Sequence, residues 1–389
     1  MKNLLFLLAD QFRFDALGAE NPLVQTPHLD ALAEAGARFT RAYTPLPVCA
    51  PARQALYTGR HPDSFGAYWN YGFFPTPPIS PEGAWPRALK AMGYSCGFIG
   101  KWNVSPADGP EAFGYDTVVS AAQYSDGGAQ YTGGWLGCES PVPLEQAKTH
   151  WLADRAIEFI GAQRGPWHLF VDIGMPHLPC RPSAPFSRMY DPAAIPEWPG
   201  WNDTFENKPF AHEQQAWNWN LEAMPWAEMA GQVARYYGMV SQIDDAIGRI
   251  LGACIILVSI VGLVTGNLAY LFGHALVSIY SADPAVIEQG IERLSIVSTT
   301  YALCGVMDVF VGSLRGMGTS LLPMVVSMLG ACGLRILWIY TIFAADHTLF
   351  MLYLSYPVSW VITAAVHFVC YLVIKRKLLR REGVELAHS

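Results

Sequence analysis

No two of the eight cysteines stand in a Cys-x-x-Cys pair; Cys49, Cys96, Cys138, Cys180, Cys254, Cys304, Cys332 and Cys370 are scattered along 389 residues. This argues against a clustered zinc site or a dense disulfide framework and favours reduced thiols. A secretion signal is not expected either. The apolar run Leu4 to Ala9 ends in Asp10, short of the roughly 7 to 15 residues such a core needs, and reads as a buried strand. Charge is scarce, at 15% of residues with a net of −7, and this acidic balance disfavours a nucleic-acid partner. Low-complexity polar tracts do not occur, and a hydrophobic content of 52% excludes a disordered chain.

What is present falls into two materials. Residues 1–251 hold 17 Lys+Arg and 25 Asp+Glu, whereas residues 252–374 hold only eight charged residues of either sign. The first part carries 11 of the 13 tryptophans and 25 of the 28 prolines. Its ~250 residues can bury one sizeable core.

Within that part, apolar runs at Leu4 to Ala9, Cys96 to Gly100 and His168 to Ile173 predict buried strands, and Pro27 to Ala37, Trp85 to Met92 and Leu144 to Gln163 predict helices. Thr26 followed by Pro27 marks the start of the first helix. The alternation predicts an α/β fold, a mainly parallel sheet with helices on both faces. In such sheets chemistry gathers at the carboxyl ends of strands. Asp10, Lys101 and His177, from three distant places in the chain, each fall just past such an end. Pro182 to Trp226 shows no period and reads as a long surface excursion. Ala227 to Leu251 then reads as an amphipathic helix with Met229, Val233, Tyr236, Tyr237, Val240, Ile243, Ile247 and Leu251 on one side.

The remainder follows different rules. Ala253 to Gly273, Leu294 to Leu314, Leu321 to Phe343 and Leu349 to Ile374 are each of at least ~20 residues, the length that crosses a bilayer core. Four spans in a lipid bilayer are expected. The run Lys375-Arg376-Lys377-Leu378-Leu379-Arg380-Arg381 opens a basic tail, residues 375–389, which the positive-inside bias places in the cytoplasm together with residues 1–251.

The most informative local pattern is Cys49-Ala50-Pro51-Ala52-Arg53, followed shortly by Thr58-Gly59-Arg60. A cysteine at a helix head with an arginine one turn along marks a pocket for anionic oxygens. Here residues 1–251 resemble the formylglycine-dependent sulfatases of the alkaline phosphatase superfamily, whose Cys-x-Pro-x-Arg motif is oxidised at the cysteine. The resemblance implies a sulfuric ester hydrolase, with a maturation enzyme making formylglycine from Cys49 and a divalent cation, usually calcium. It makes Cys49 the nucleophile precursor and a metal ligand, and Arg53 the group that holds the nucleophile. Leu8-Ala9-Asp10-Gln11 resembles the metal-binding start of these enzymes, which assigns Asp10 and Gln11 as further ligands. Gly100-Lys101-Trp102 matches the family's Gly-Lys-Trp and makes Lys101 a sulfate-binding residue, although Asn103 stands where a histidine is common. Met175-Pro176-His177-Leu178-Pro179 resembles the segment whose histidine faces the substrate, as the acid for the departing alcohol. Asn70 resembles a pocket-lining asparagine. Asp244-Asp245 match a helix with no catalytic role and are left outside the site.

The sulfatase resemblance stops near Leu251. The family's later Asp-His-Gly or Asp-Asn segment, which supplies further metal ligands, has no counterpart after that residue; Asp346-His347 lies between two spans. The sulfatase part is therefore expected to be incomplete and its activity impaired. Asp283-Pro284-Ala285-Val286-Ile287, Gly312-Ser313-Leu314-Arg315-Gly316-Met317-Gly318 and Leu352-Tyr353-Leu354-Ser355-Tyr356-Pro357 resemble the end of a multidrug and toxic compound extrusion (MATE) transporter, whose members exchange organic cations for sodium or protons. Asp308 and Arg335, within spans, are expected to be structural partners. Three readings stay open: a membrane-tethered, impaired hydrolase of a small-molecule sulfate ester, a fragment of a cation or drug antiporter, and a nonfunctional chimeric reading frame. A sugar, choline-type or aryl sulfate all fit the first.

Overall fold

The computed structural model describes residues 3–72, 76–134, 136–222, 224–300, 303 and 321–381. The chain divides into two compact units, Met1–Leu29 with Arg41–Leu251 and Asp30–Thr40 with Gly252–Ser389. In the first, β1 (Leu4–Leu8), β2 (Ser95–Gly100), β3 (Thr117–Ser120) and β4 (Trp167–Asp172) form one sheet in the order β1-β4-β2-β3. Every pairing is parallel, with Phe6 opposite Phe170 and Phe98 opposite the same residue. The helices are α1 (Pro27–Ala35), α2 (Cys49–Thr58), α3 (Trp85–Ala91), α4 (Lys148–Ala162), α5 (Phe210–Asn218) and α6 (Trp226–Leu271).

Alternation along the strands sends side chains to two faces. On one, Phe6, Phe170 and Phe98 stack in a row, with ring centroids 4.7 and 5.6 Å apart, beneath Tyr57 of α2 and Trp85 of α3. On the other, Gly97 meets Phe159 of α4, so close that a Cβ there would lie 2.6 Å from the ring. Leu7 shares an apolar cavity of about 230 Å³ with Ile173 of the strand end and Ile243 and Ile247 of α6.

The expected strands, parallel sheet and flanking helices are all present. Two elements were not legible. β3 is four residues long, too short for a period, and α5 lies inside the stretch read as a loop because its Trp217 and Phe210 stay exposed and leave no apolar face. The helix expected to end at Leu251 continues to Leu271, since no glycine cap or proline interrupts it.

Asp244 and Asp245 turn out to hold helices together. Asp244 Oδ1 accepts from the backbone N–H of Leu29 at 2.7 Å, and Oδ2 from that of His28 at 3.2 Å and from its ring Nδ1 at 2.9 Å. A carboxylate from α6 thus caps the amino end of α1, where the orphan N–H groups and the helix dipole both favour a negative charge. Asp245 bonds His150 of α4 at 2.9 Å.

In the second unit, two helical stretches, Leu322–Ala345 and Leu349–Cys370, are long and apolar enough to cross a membrane. They match the third and fourth expected spans. Arg335 bonds Ser359 Oγ at 2.9 Å and sits 4.1 Å over the Tyr356 ring, the structural pairing of a cation with polar and aromatic neighbours. The first expected span begins within α6, and side chains 255–263 lie outside the description. So do Asp308, the Gly312 to Gly318 run, much of the second span and the tail beyond Arg381.

Asp244→Ala removes three acceptor contacts from a side chain only 2% exposed and should cost about 2 kcal/mol. Asp245→Ala, at a side chain 41% exposed, should cost less. Thermal melts followed by tryptophan fluorescence check the order of the two; equal losses would contradict the capping role.

Candidate active site

The carboxyl ends of three adjacent strands converge. β1 delivers Asp10, whose backbone N–H bonds Met175 O at 3.0 Å, and β4 ends in Asp172. β2 ends in Gly100, which crosses so close to β4 that a Cβ would meet Asp172 O at 1.8 Å, at a φ of +121°. Only glycine fits there. The next amide, Lys101 N–H, bonds that same carbonyl at 3.1 Å and so fixes where the lysine side chain starts.

The fourth contributor is α2. Cys49 is its first residue, and Val48, in the cap position, supplies no side-chain hydrogen bond. Asn70 fills that gap, its Oδ1 accepting from Ala50 N–H at 3.0 Å. The asparagine therefore helps hold the helix head that carries Cys49. One turn along, Arg53 is 5% exposed and bonds Asp172 through two nitrogens, at 2.9 and 3.0 Å. It also reaches Asp10 Oδ2 at 3.4 Å and Cys49 O at 3.4 Å. Lys101 Nζ lies 2.5 Å from Asp10 Oδ2 and 3.5 Å from Cys49 Sγ. Cys49 Sγ is itself 3.4 Å from Asp10 Oδ2. His177 presents a ring nitrogen within 4.8 Å of the Cys49 thiol, and its Nδ1 meets Leu178 O at 2.7 Å.

These contacts set the proton affinities. The neighbouring His177 ring holds the Cys49 thiol below its ordinary value, against burial and Asp10, and the thiol in turn raises His177. Asp10 is opposed by burial, yet Lys101 and Arg53 bring it below the usual carboxylate range. Burial pushes Asp172 up to about 6, with Arg53 pulling the other way. Lys148, at the start of α4, is lowered by burial and by repulsion from Lys101.

Of the residues singled out in the sequence, Asp10, Cys49, Arg53, Lys101 and His177 meet in one cluster, with Asn70 behind the helix head. Gln11 is exposed; its backbone is left-handed, at φ 63°, and its carbonyl accepts from Tyr236 Oη at 2.8 Å. Asp172 was missed, since the last residue of an apolar run looks like the end of a strand and nothing more. An acidic side chain there, just ahead of Gly174, was the available signal. The same holds for Tyr236, which reads as one more aromatic on a helix face but also accepts from Arg13 N–H at 2.8 Å and clamps the turn after β1.

Arg53→Met should destabilise the protein by about 3–5 kcal/mol at neutral pH, because two carboxylates lose their buried counter-charge. Asp172 ordinarily titrates at 3.8 and here at about 6, so between those values the folded chain holds a proton that the unfolded chain has released. Its contribution to stability therefore falls as pH rises through that window. The gap in melting temperature between the wild type and Arg53→Met should narrow as pH drops from about 7 to about 5, where a protonated Asp172 needs no partner; a constant gap would refute the assignment.

The sulfatase family model matches residues 2–254, and the MatE family model matches residues 232–341. An ulvan-active sulfatase from Formosa agariphila is 29% identical over 266 residues, 64% of this chain and 46% of its own. An arylsulfatase from Clostridium perfringens is 26% identical over 296 residues, 64% of this chain and 58% of its own. Bovine (Bos taurus) arylsulfatase A is 37% identical over 116 residues, 28% and 22% of the two chains. The chain thus spans about half the length of the first two of these curated relatives. Among solved structures, phosphonate monoester hydrolases from Agrobacterium radiobacter and Silicibacter pomeroyi share the fold, each at 22% identity over 65% of this chain and 59% of theirs, with TM-scores of 0.51 and 0.52. Membership of the sulfatase family implies a formylglycine and a divalent metal in general. By its match over residues 2–254, the chain belongs to the sulfatase family.

Proposed function

We propose that residues 1–251 carry the nucleophile half of a sulfuric ester hydrolase that is impaired in this chain. The observation behind this reading is the cluster itself: Cys49 at the head of α2, with Asp10, Lys101, Arg53 and His177 gathered round it. Oxidation of Cys49 to formylglycine by a maturation enzyme would place an oxygen nucleophile at that position. Lys101 would neutralise the sulfate oxygens as a compact point charge. His177 would hold the proton that the departing alcohol takes as the S–O ester bond breaks.

Impairment follows from the donor set. Calcium takes six to eight oxygens. Of the ligands assigned from sequence, Asp10 supplies one carboxylate whose Oδ2 already serves two cations, and Gln11 is exposed. Among the described residues this set does not fit calcium, and no step is assigned to that ion. A multi-pass membrane tether, with residues 1–251 and the basic tail in the cytoplasm, completes the reading. The MatE match and two apolar helices favour a second one, a fragment of a cation or drug antiporter with a sulfatase-like cap.

Hydrolysis of a chromogenic aryl sulfate by the purified chain should be slow and abolished in Cys49→Ala. His177→Ala should lower it by about 10²-fold or more. Hydrolysis that survives in Cys49→Ala would reject the reading, and efflux unaffected by Cys49→Ala would favour the second.

A further inference from the structure

The poor match to calcium has a positive counterpart in the thiol form of the chain. Asp10, Cys49 and His177 each present one ligand atom, and these atoms all lie within 4.8 Å of one another. We propose that the unoxidised pocket is a zinc site, with Asp10, Cys49 and His177 as its three protein ligands and a fourth position open.

Sulfur, imidazole nitrogen and a single carboxylate oxygen are the donors of zinc, whereas calcium takes oxygen alone. Spacing agrees with chemistry. A tetrahedral ion with Zn–O of about 2.0 Å and Zn–S of about 2.3 Å holds those two ligand atoms ~3.5 Å apart. Asp10 Oδ2 and Cys49 Sγ are 3.4 Å apart. The histidine is also suitably turned. Its Nδ1 faces Leu178 O at 2.7 Å, and a carbonyl can only accept, so Nδ1 carries a proton and Nε2 is the nitrogen left to ligate once it gives up any proton of its own. A backbone carbonyl that fixes the far nitrogen in this way is the usual support of a zinc-bound imidazole.

The pocket is already organised around a positive charge. Lys101 Nζ touches two of the three ligand atoms, at 2.5 Å from Asp10 Oδ2 and 3.5 Å from Cys49 Sγ. Zinc would take the place of that ammonium. Lys101 can leave it, because its side chain is 31% exposed while Asp10 is 10% exposed. Lys101 is therefore a competitor of the metal. Oxidation of Cys49 to formylglycine removes the sulfur and with it the site, so the zinc form and the hydrolase form exclude each other. The inference does not rest on the hydrolase reading and stands whether or not any ester is cleaved.

The test uses the full chain in detergent, with intact mass confirming an unoxidised Cys49, and titrates it with Co²⁺ as a spectroscopic probe for zinc. One cobalt per chain should bind with the near-ultraviolet absorption of a thiolate-to-cobalt charge transfer, displaced by Zn²⁺ and not by excess Ca²⁺. Cys49→Ser should abolish the absorption, His177→Ala should weaken binding by about tenfold or more, and Lys101→Met should keep the absorption and tighten binding. No absorption in the wild type, absorption that persists in Cys49→Ser, displacement by calcium, or weaker binding in Lys101→Met would each overturn the proposal. If a variant fails to fold, the wild type decides alone: zinc should slow iodoacetamide alkylation of the Cys49 peptide by about tenfold or more, and an unchanged rate rejects the site.

Discussion

Two carboxylates and one guanidinium, buried together at the carboxyl end of the sheet, set the geometry of everything around Cys49. Asp172 is 1% and Arg53 5% exposed, and burying either charge without the other would be costly. Their two-bond pairing fixes the arginine, and the arginine in turn reaches back to Asp10 and to the carbonyl of Cys49. The sheet order supplies the reason these groups can meet: β4 lies between β1 and β2, so Asp172 sits flanked by the strand ends that lead to Asp10 and Lys101. A change of register by one residue would turn Asp172 to the other face and leave Arg53 without its partner.

That dependence explains which parts of the site were legible in the amino-acid order. Asp10, Lys101 and His177 follow apolar runs, so a parallel-sheet reading alone brings them to one edge. Cys49 and Arg53 announce themselves by spacing on one helix turn. Asp172 did not, because its meaning comes from Arg53, 119 residues away in sequence, and no local period reports a partner at that distance. Asn70 was legible as a residue of the pocket, but its bond to Ala50 N–H assigns it a supporting place at the helix head. Gln11 shows the opposite case: adjacency to Asp10 in sequence did not bring it into the cluster, since a left-handed backbone at Gln11 separates the two.

The aspartate pair of α6 illustrates how one local motif can serve two distant elements. Neighbouring residues on a helix point about 100° apart. Asp244 thereby faces α1 and Asp245 faces α4, and each finds a histidine. A pair that looks like a metal-binding or acid–base motif in the sequence is a double tie between helices. The exclusion of these residues from the site rested on the resemblance alone, and the contacts now give it a physical reason.

The same economy of charge bears on the proposed impairment. Lys101 is a partly exposed cation of the cluster, and its ammonium is bound to Asp10 at 2.5 Å. On the proposed reading an incoming sulfate ester would compete with that carboxylate for the lysine, because a compact ammonium cannot give its closest approach to both. Arg53 is a poor substitute, since it is 5% exposed and most of its donors already serve Asp172, Asp10 and the Cys49 carbonyl. Whatever else occupies Asp10 therefore decides how much of Lys101 is left for an anion.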